Sequence, residues 1–84
     1  MFEIQFKKSV KKDLQKLSKV DQQQVLDKIQ QNLTKDPYQG NALNGEFKGL
    51  YRWRTGHIRV MYAIQNKQLI ILVLKIGHRT DVYR

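Results

Sequence analysis

Eighty-four residues with 40% apolar composition suffice for one small domain with one core, near the lower end of what folds alone. The absence of cysteine excludes a disulfide scaffold, a thiolate metal site and a thiol nucleophile, and suits a reducing, cytoplasmic compartment. Sixteen Lys and Arg against seven Asp and Glu give a net charge of +9, a field that attracts nucleic acid, an anionic membrane surface or an acidic protein.

The opening MFEIQFKK carries an apolar stretch too short for a signal peptide, and Phe2, Ile4 and Phe6 alternate with polar residues as in a half-buried strand. Ser9 stands as N-cap before Val10, Leu14 and Leu17, whose i, i+4, i+7 spacing predicts a short amphipathic helix. Ser18, three residues before Asp21, is the capping signal of a second helix over Lys19–Thr34, with Val25, Leu26, Ile29 and Leu33 at helical spacing and Pro37 as its stop. The two helices are expected to form a hairpin that packs Val10, Leu14 and Leu17 against Val25, Ile29 and Leu33.

Residues 36–50 hold the only proline and three of the five glycines, and they read as loop with Ala42, Leu43 and Leu50 tucked onto the core. From Tyr51 the period changes to two. Tyr51, Trp53 and Thr55 point one way and Arg52 and Arg54 the other, and Thr55-Gly56-His57 turns the chain. Ile58, Val60, Tyr62 and Ile64 then alternate with Arg59, Met61 and Ala63, and Asn66-Lys67 makes a second hairpin turn. The run Leu69–Ile76, with Lys75 its one charged residue, predicts a central strand that Gly77 ends. Its six-residue apolar stretch, Leu69–Leu74, is far below a membrane span. The fold class is α+β: a single 1–84 domain of order β-α-α-β-β-β, mainly antiparallel, with a helical hairpin on one sheet face.

Charge is unevenly placed. Residues 1–48 carry nine basic and six acidic groups, net +3, whereas residues 49–84 carry seven basic and one acidic group, net +6. Lys7, Lys8, Lys11, Lys12, Lys16 and Lys19 crowd the first part and suit solubility and electrostatic steering. All five arginines lie in the second, and their planar forks suit bidentate phosphate recognition. The acids are dispersed, with most expected on outer helix faces. No spacing of His57, His78 and the acids forms a metal motif, and no nucleophile elbow or Gly-rich phosphate loop is present, so no metal or other cofactor is expected. What remains is a set of arginines, Arg52, Arg54, Arg59 and Arg79, with Arg54 and Arg59 meeting across the turn. His78 and Tyr83 are the proton-active groups of the tail; His57 reads as a solvated turn residue and Trp53 as core.

The order GLYRWR-TG-HIRVMYAI, a hydrophobic strand, then IGHRTDVYR resembles the RelE branch of the RelE/ParE toxin superfamily over nearly the whole chain, helical hairpin included. The resemblance implies the β-α-α-β-β-β fold and a toxin of a type II toxin–antitoxin system. It implies a ribosome-dependent, metal-independent endoribonuclease that cuts messenger RNA in the ribosomal A site by attack of the 2′-hydroxyl on its own phosphodiester. It also implies an acidic, partly disordered antitoxin, held in a hetero-oligomeric complex. Position by position, Arg52 and Arg54 match two basic residues of the first meander strand, Arg59 an arginine of the next, Arg79 the arginine after the last strand, and Tyr83 the tail tyrosine. Catalysis then falls to Arg54, Arg59, Arg79 and Tyr83, with His78 a further acid or base, while Arg52 and the six lysines bind RNA and ribosome. Some members carry lysine where this chain has Arg52 and Arg54, and arginine does not release its proton. Two other readings stay open: a ParE-like inhibitor of DNA gyrase without ribonuclease activity, and a small nucleic-acid-binding domain without catalysis.

Overall fold

The computed structural model describes residues 2–78, in the order β1 (Glu3–Phe6), α1 (Val10–Gln15), α2 (Lys19–Lys28), β2 (Asn41–Ala42), β3 (Leu50–Thr55), β4 (Ile58–Gln65) and β5 (Ile70–His78). Among these residues the strands form one sheet, ordered β1-β5-β4-β3-β2. β3, β4 and β5 are the expected antiparallel meander, and β1 joins it by pairing parallel to β5. β5 is therefore central, which is why its sequence is a near-continuous apolar run.

One sheet face packs on the helices. Val10, Leu17, Val25, Ile29 and Leu33 from the helical hairpin meet Ile58, Val60, Tyr62, Ile71, Val73 and Ile76 from the sheet, with Ile4, Leu14, Tyr51 and Trp53 at the margin. Burying such a side chain is worth about 1.5–3 kcal/mol, so this cluster is the main source of stability. Trp53 takes the core position that its alternation predicts.

The helices differ from the sequence reading in two details. Ser18 caps α2 as expected, accepting the Asp21 N–H at 3.1 Å, but Ser9 makes no side-chain cap to α1. Its backbone is already helical (φ −64°, ψ −19°), whereas a capping residue needs an extended backbone to turn its oxygen onto the first turn. α2 gives way to one π-helical turn, Ile29–Leu33, which keeps Ile29 and Leu33 both buried.

The segment read as loop contains β2, which pairs Asn41 with Arg52 and Ala42 with Tyr51, and two short 3₁₀ turns. Ala42 is exposed rather than tucked in, because a two-residue edge strand has nothing packed over it. Leu43 and Leu50 are half-buried. The β4–β5 turn spans four residues, Asn66–Leu69, with Leu69 at φ 55°, so the predicted Asn66-Lys67 turn is too short. The strand that Gly77 was expected to end runs on to His78, because Gly77 and His78 still pair with Arg59 and Ile58.

The register between β4 and β5 shifts between Met61 and Tyr62: Met61 faces Lys75 and Tyr62 faces Val73, leaving Leu74 as an extra residue. Asp13 of α1 meets this irregularity. Its Oδ2 accepts the Ile76 N–H at 3.1 Å, satisfying a donor that lies beyond the end of β1.

Tyr62 is fully buried, donates its hydroxyl to the Pro37 carbonyl at 2.6 Å and stacks on Tyr51 at 5.6 Å. Gly40 passes so close that a Cβ there would lie 2.5 Å from the Tyr62 hydroxyl and 2.9 Å from the Arg52 carbonyl oxygen. Since a backbone atom is one of the two neighbours, Gly40→Ala is expected to cost about 1–3 kcal/mol, read as a lower urea midpoint at unchanged slope.

Burial pushes the Tyr62 phenol up to about 12 from an ordinary value of 10.0. A raised folded-state pKa stabilises the fold below the unfolded value and is lost as pH rises through the folded one. The margin of wild type over Tyr62→Phe is therefore expected to hold up to about pH 10 and to shrink between roughly pH 10 and 12. Urea titrations of both proteins across that range check it; a constant margin would contradict it.

Candidate functional site

The β3–β4 hairpin is closed by Thr55 opposite Ile58, leaving Gly56 and His57 as a two-residue turn. Gly56 has φ 60° and His57 is not in the left-handed region, the arrangement of a type II′ turn, which needs glycine first and twists with the strands. The turn fixes the register behind it. Arg54 stands directly opposite Arg59, and Arg52 opposite Met61. These residues alternate with Trp53 and Val60 of the core and so occupy the sheet face turned away from the helices.

β5 extends both rows. Lys75 lies opposite Met61 and Gly77 opposite Arg59. One row therefore reads Arg52, Met61, Lys75 and the next Arg54, Arg59, Gly77, with no side chain at its third place. Arg54 is exposed, and Arg52, Arg59 and Lys75 are half-buried. Met61, only 5% exposed, lies between two cationic side chains whose aliphatic stems suit such a neighbour. Glu3 on β1 is the one acid on this face among the described strand residues. Lys75 is the cation that sequence reasoning missed: uninterrupted alternation from Ile71 and Val73 would point it into the core, and only the extra residue Leu74 moves it to the arginine face.

The two histidines meet at the same end of the sheet. Their rings stack with centroids 5.2 Å apart and an interplanar angle of 11°. His57 Nε2 lies 3.0 Å from Asp21 Oδ2 of α2. His57 is thus no idle turn residue, although its side chain is 61% exposed. Two of the acids, Asp13 and Asp21, reach inward to the sheet, while Asp27 of α2 is exposed as expected. His78 is the last residue of β5, opposite Ile58 on the helix side.

Lys7, Lys8, Lys11, Lys12, Lys16 and Lys19 are all exposed, on the β1–α1 turn, α1 and the start of α2. The strand register that gathers the arginines does not include them, and among them Lys16 lines a groove at the end of β5. Arg79 and Tyr83 lie outside the described residues. Among the described residues no three of His, Asp and Glu converge in a set that could hold a metal ion, and no helix is long and apolar enough to cross a membrane.

Residues 4–83 match the family model described as the ParE toxin of the type II toxin–antitoxin system parDE. Toxin RelG of Mycobacterium tuberculosis is 27% identical over 84 residues, covering 99% of this chain and 97% of that protein. The structure resembles the toxin–antitoxin complex RelBE2 from Mycobacterium tuberculosis with TM-score 0.89 and 25% identity, over 93% of this chain and 98% of the matched one. The isolated Escherichia coli RelE toxin shares the fold with TM-score 0.76 at 20% identity, over 99% of this chain and 92% of that one.

Directly opposed like charges destabilise a sheet, and opposite charges stabilise it. Arg54→Glu is therefore expected to raise stability by about 0.5–1 kcal/mol at low salt, with the gain shrinking at high salt. The same variant is expected to weaken binding of a short RNA oligonucleotide. Urea midpoints at two salt concentrations and fluorescence anisotropy measure both; a salt-independent midpoint or unchanged RNA affinity would show that the pair does not act as a charged unit.

Proposed function

Because the chain belongs to the RelE/ParE superfamily of toxins from type II toxin–antitoxin systems, we propose that its arginine face is the working surface of an endoribonuclease that cuts messenger RNA in the ribosomal A site. The observation that carries this reading is the convergence of Arg52, Arg54, Arg59 and Lys75 on one sheet face by strand register. Such a strip suits a phosphodiester backbone, whose charges are spaced along a line.

The chemistry is a transesterification. The 2′-oxygen bonds to the adjacent phosphorus, the bond from phosphorus to the 5′-oxygen breaks, and the products are a 2′,3′-cyclic phosphate and a 5′-hydroxyl. A base takes the 2′-hydroxyl proton, a role for Tyr83 as phenolate or for His78. Arg59 and Arg79 hydrogen-bond the phosphorane oxygens, where negative charge grows in the transition state. Arg54 steadies the departing 5′-oxygen but keeps its own proton, so the proton that oxygen finally gains comes from water or from the conjugate acid of the base. Arg52 and the exposed lysines orient the message and steer the protein to ribosomal RNA. The partner in storage is an antitoxin, as solved RelBE toxin–antitoxin complexes support by analogy; an acidic, partly disordered segment that folds over this face would match its charge.

A second reading has its own support, since the family model that matches is the ParE one. On that reading the same scaffold inhibits DNA gyrase and cuts nothing.

Single-turnover cleavage of a ribosome-bound message at saturating protein separates the two. Arg59→Ala is expected to lower the rate about 10²–10³-fold, with Arg59→Lys recovering part of it because the ammonium keeps charge but loses the fork. At the magnesium level that keeps the ribosome intact, cleavage is expected to persist when a chelator selective for transition metals is added. Wild-type rates in Arg59→Ala would remove the phosphate-stabilising role, and growth inhibition without any cleavage would favour the gyrase reading.

A further inference from the structure

β1 stops opposite Val73, so the last part of β5 is bordered on that edge by α1 rather than by a strand. Between them lies a cavity of about 360 Å³, within the range of small-ligand sites. Leu17 and Ile76, both buried, form its apolar wall. Lys16, Lys75, Asp13 and His78 supply its polar groups.

The polar groups are of three kinds. Lys16 of α1 and Lys75 of β5 both line the groove, Lys75 at the edge where β5 has no strand beside it and the arginine face adjoins. Asp13 is held in place by accepting the Ile76 N–H on Oδ2, and its carboxylate supplies the groove with an acceptor. His78 offers an aromatic ring that is already held: it stacks on His57, and His57 is tied to Asp21 at 3.0 Å. The cavity also adjoins the arginine rows, since Gly77, next to His78, is the register partner of Arg59.

We propose that this groove holds one nucleotide of an RNA strand, next to the nucleotide whose phosphate lies at Arg54 and Arg59. The base stacks on His78 and against Leu17 and Ile76, its exocyclic amino group donates to Asp13, and its phosphate lies between Lys16 and Lys75. This assignment rests on the ribonuclease reading for its neighbour but not for its own test. An acidic peptide fits the groove less well: it has no planar base to lay against the held His78 ring and the apolar wall, and no amino donor at the spacing that would put its anion on the lysines and its donor on Asp13.

The test uses the intact protein, isotope-labelled for amide and imidazole signals, and three probes: adenosine 5′-monophosphate, adenosine and inorganic phosphate. The nucleotide is expected to shift the amides of Leu17, Ile76 and Gly77 and the His78 ring, and to bind more tightly than either fragment. His78→Ala is expected to weaken nucleotide binding about tenfold, His78→Phe to keep most of it, and the double change Lys16→Ala, Lys75→Ala to reduce it to the level of adenosine. The proposal is overturned if the nucleotide shifts only residues of β3 and β4, if His78→Ala binds as wild type, or if oligoglutamate shifts the groove amides while the nucleotide does not. The titration involves no ribosome and no cleavage. A protein that binds the nucleotide in the groove yet never cuts message refutes the ribonuclease reading alone, and one that cuts message without groove shifts refutes the groove alone.

Discussion

The extra residue at Leu74 decides what the far end of the sheet presents to solvent and to the core. Side chains in a strand alternate with a period of two, so one inserted residue exchanges the faces of everything after it. Before the shift, Ile71 and Val73 are buried under the helices. After it, Ile76 takes over that role, and Lys75 and Gly77 fall in line with the arginines. Without the shift Lys75 would point into an apolar core, and a buried unpaired ammonium is far more costly than a bulge. The irregularity leaves the Ile76 N–H to be satisfied, and Asp13 accepts it. Thus one carboxylate of α1, the position of a helix and the composition of the cationic face are parts of a single geometric solution.

That cationic face opposes the fold that carries it. Two unit charges near a protein surface repel by about 4 kcal/mol at 4 Å, but long side chains splay, and cross-strand pair energies are in general only about 0.2–1 kcal/mol. The lower figure is the better guide for Arg54 and Arg59, because Arg54 is exposed and free to turn outward. A few such pairs cost less than one or two well-buried core residues contribute. The sheet therefore tolerates the strip, and a bound polyanion would return the energy.

Much of this was legible in the residues. Period-two alternation on either side of a two-residue turn puts Arg52, Arg54 and Arg59 on one face whatever the rest of the chain does, and helical spacing assigns Val10, Leu17, Val25, Ile29 and Leu33 to the core. The parts that escaped depend on contacts distant in sequence. The face of Lys75 depends on a register shift between β4 and β5, which no local pattern records. Asp13 and Asp21 look like ordinary acids of exposed helices until the helices are laid on the sheet and their side chains reach Ile76 and His57. His57 and His78 are separated by a whole hairpin, and only the pairing of Ile58 with His78 brings their rings together. The parallel pairing of β1 was open for the same reason, since alternation buries a face but does not choose a direction.

The histidine contact also bears on how the hairpin tip keeps its shape. A repulsive pair one residue from a turn tends to open the hairpin where it has fewest bonds to hold it. Here the turn is attached on two sides: His57 to α2 through Asp21, and His57 to β5 through His78. Neither contact is strong alone, since exposed ion pairs contribute at most about 1 kcal/mol. Their value lies in direction. Both draw the turn toward the helix side, while Arg54 and Arg59 project from the opposite face, so the contacts that hold the tip and the pair that strains it lie on opposite sides of the sheet.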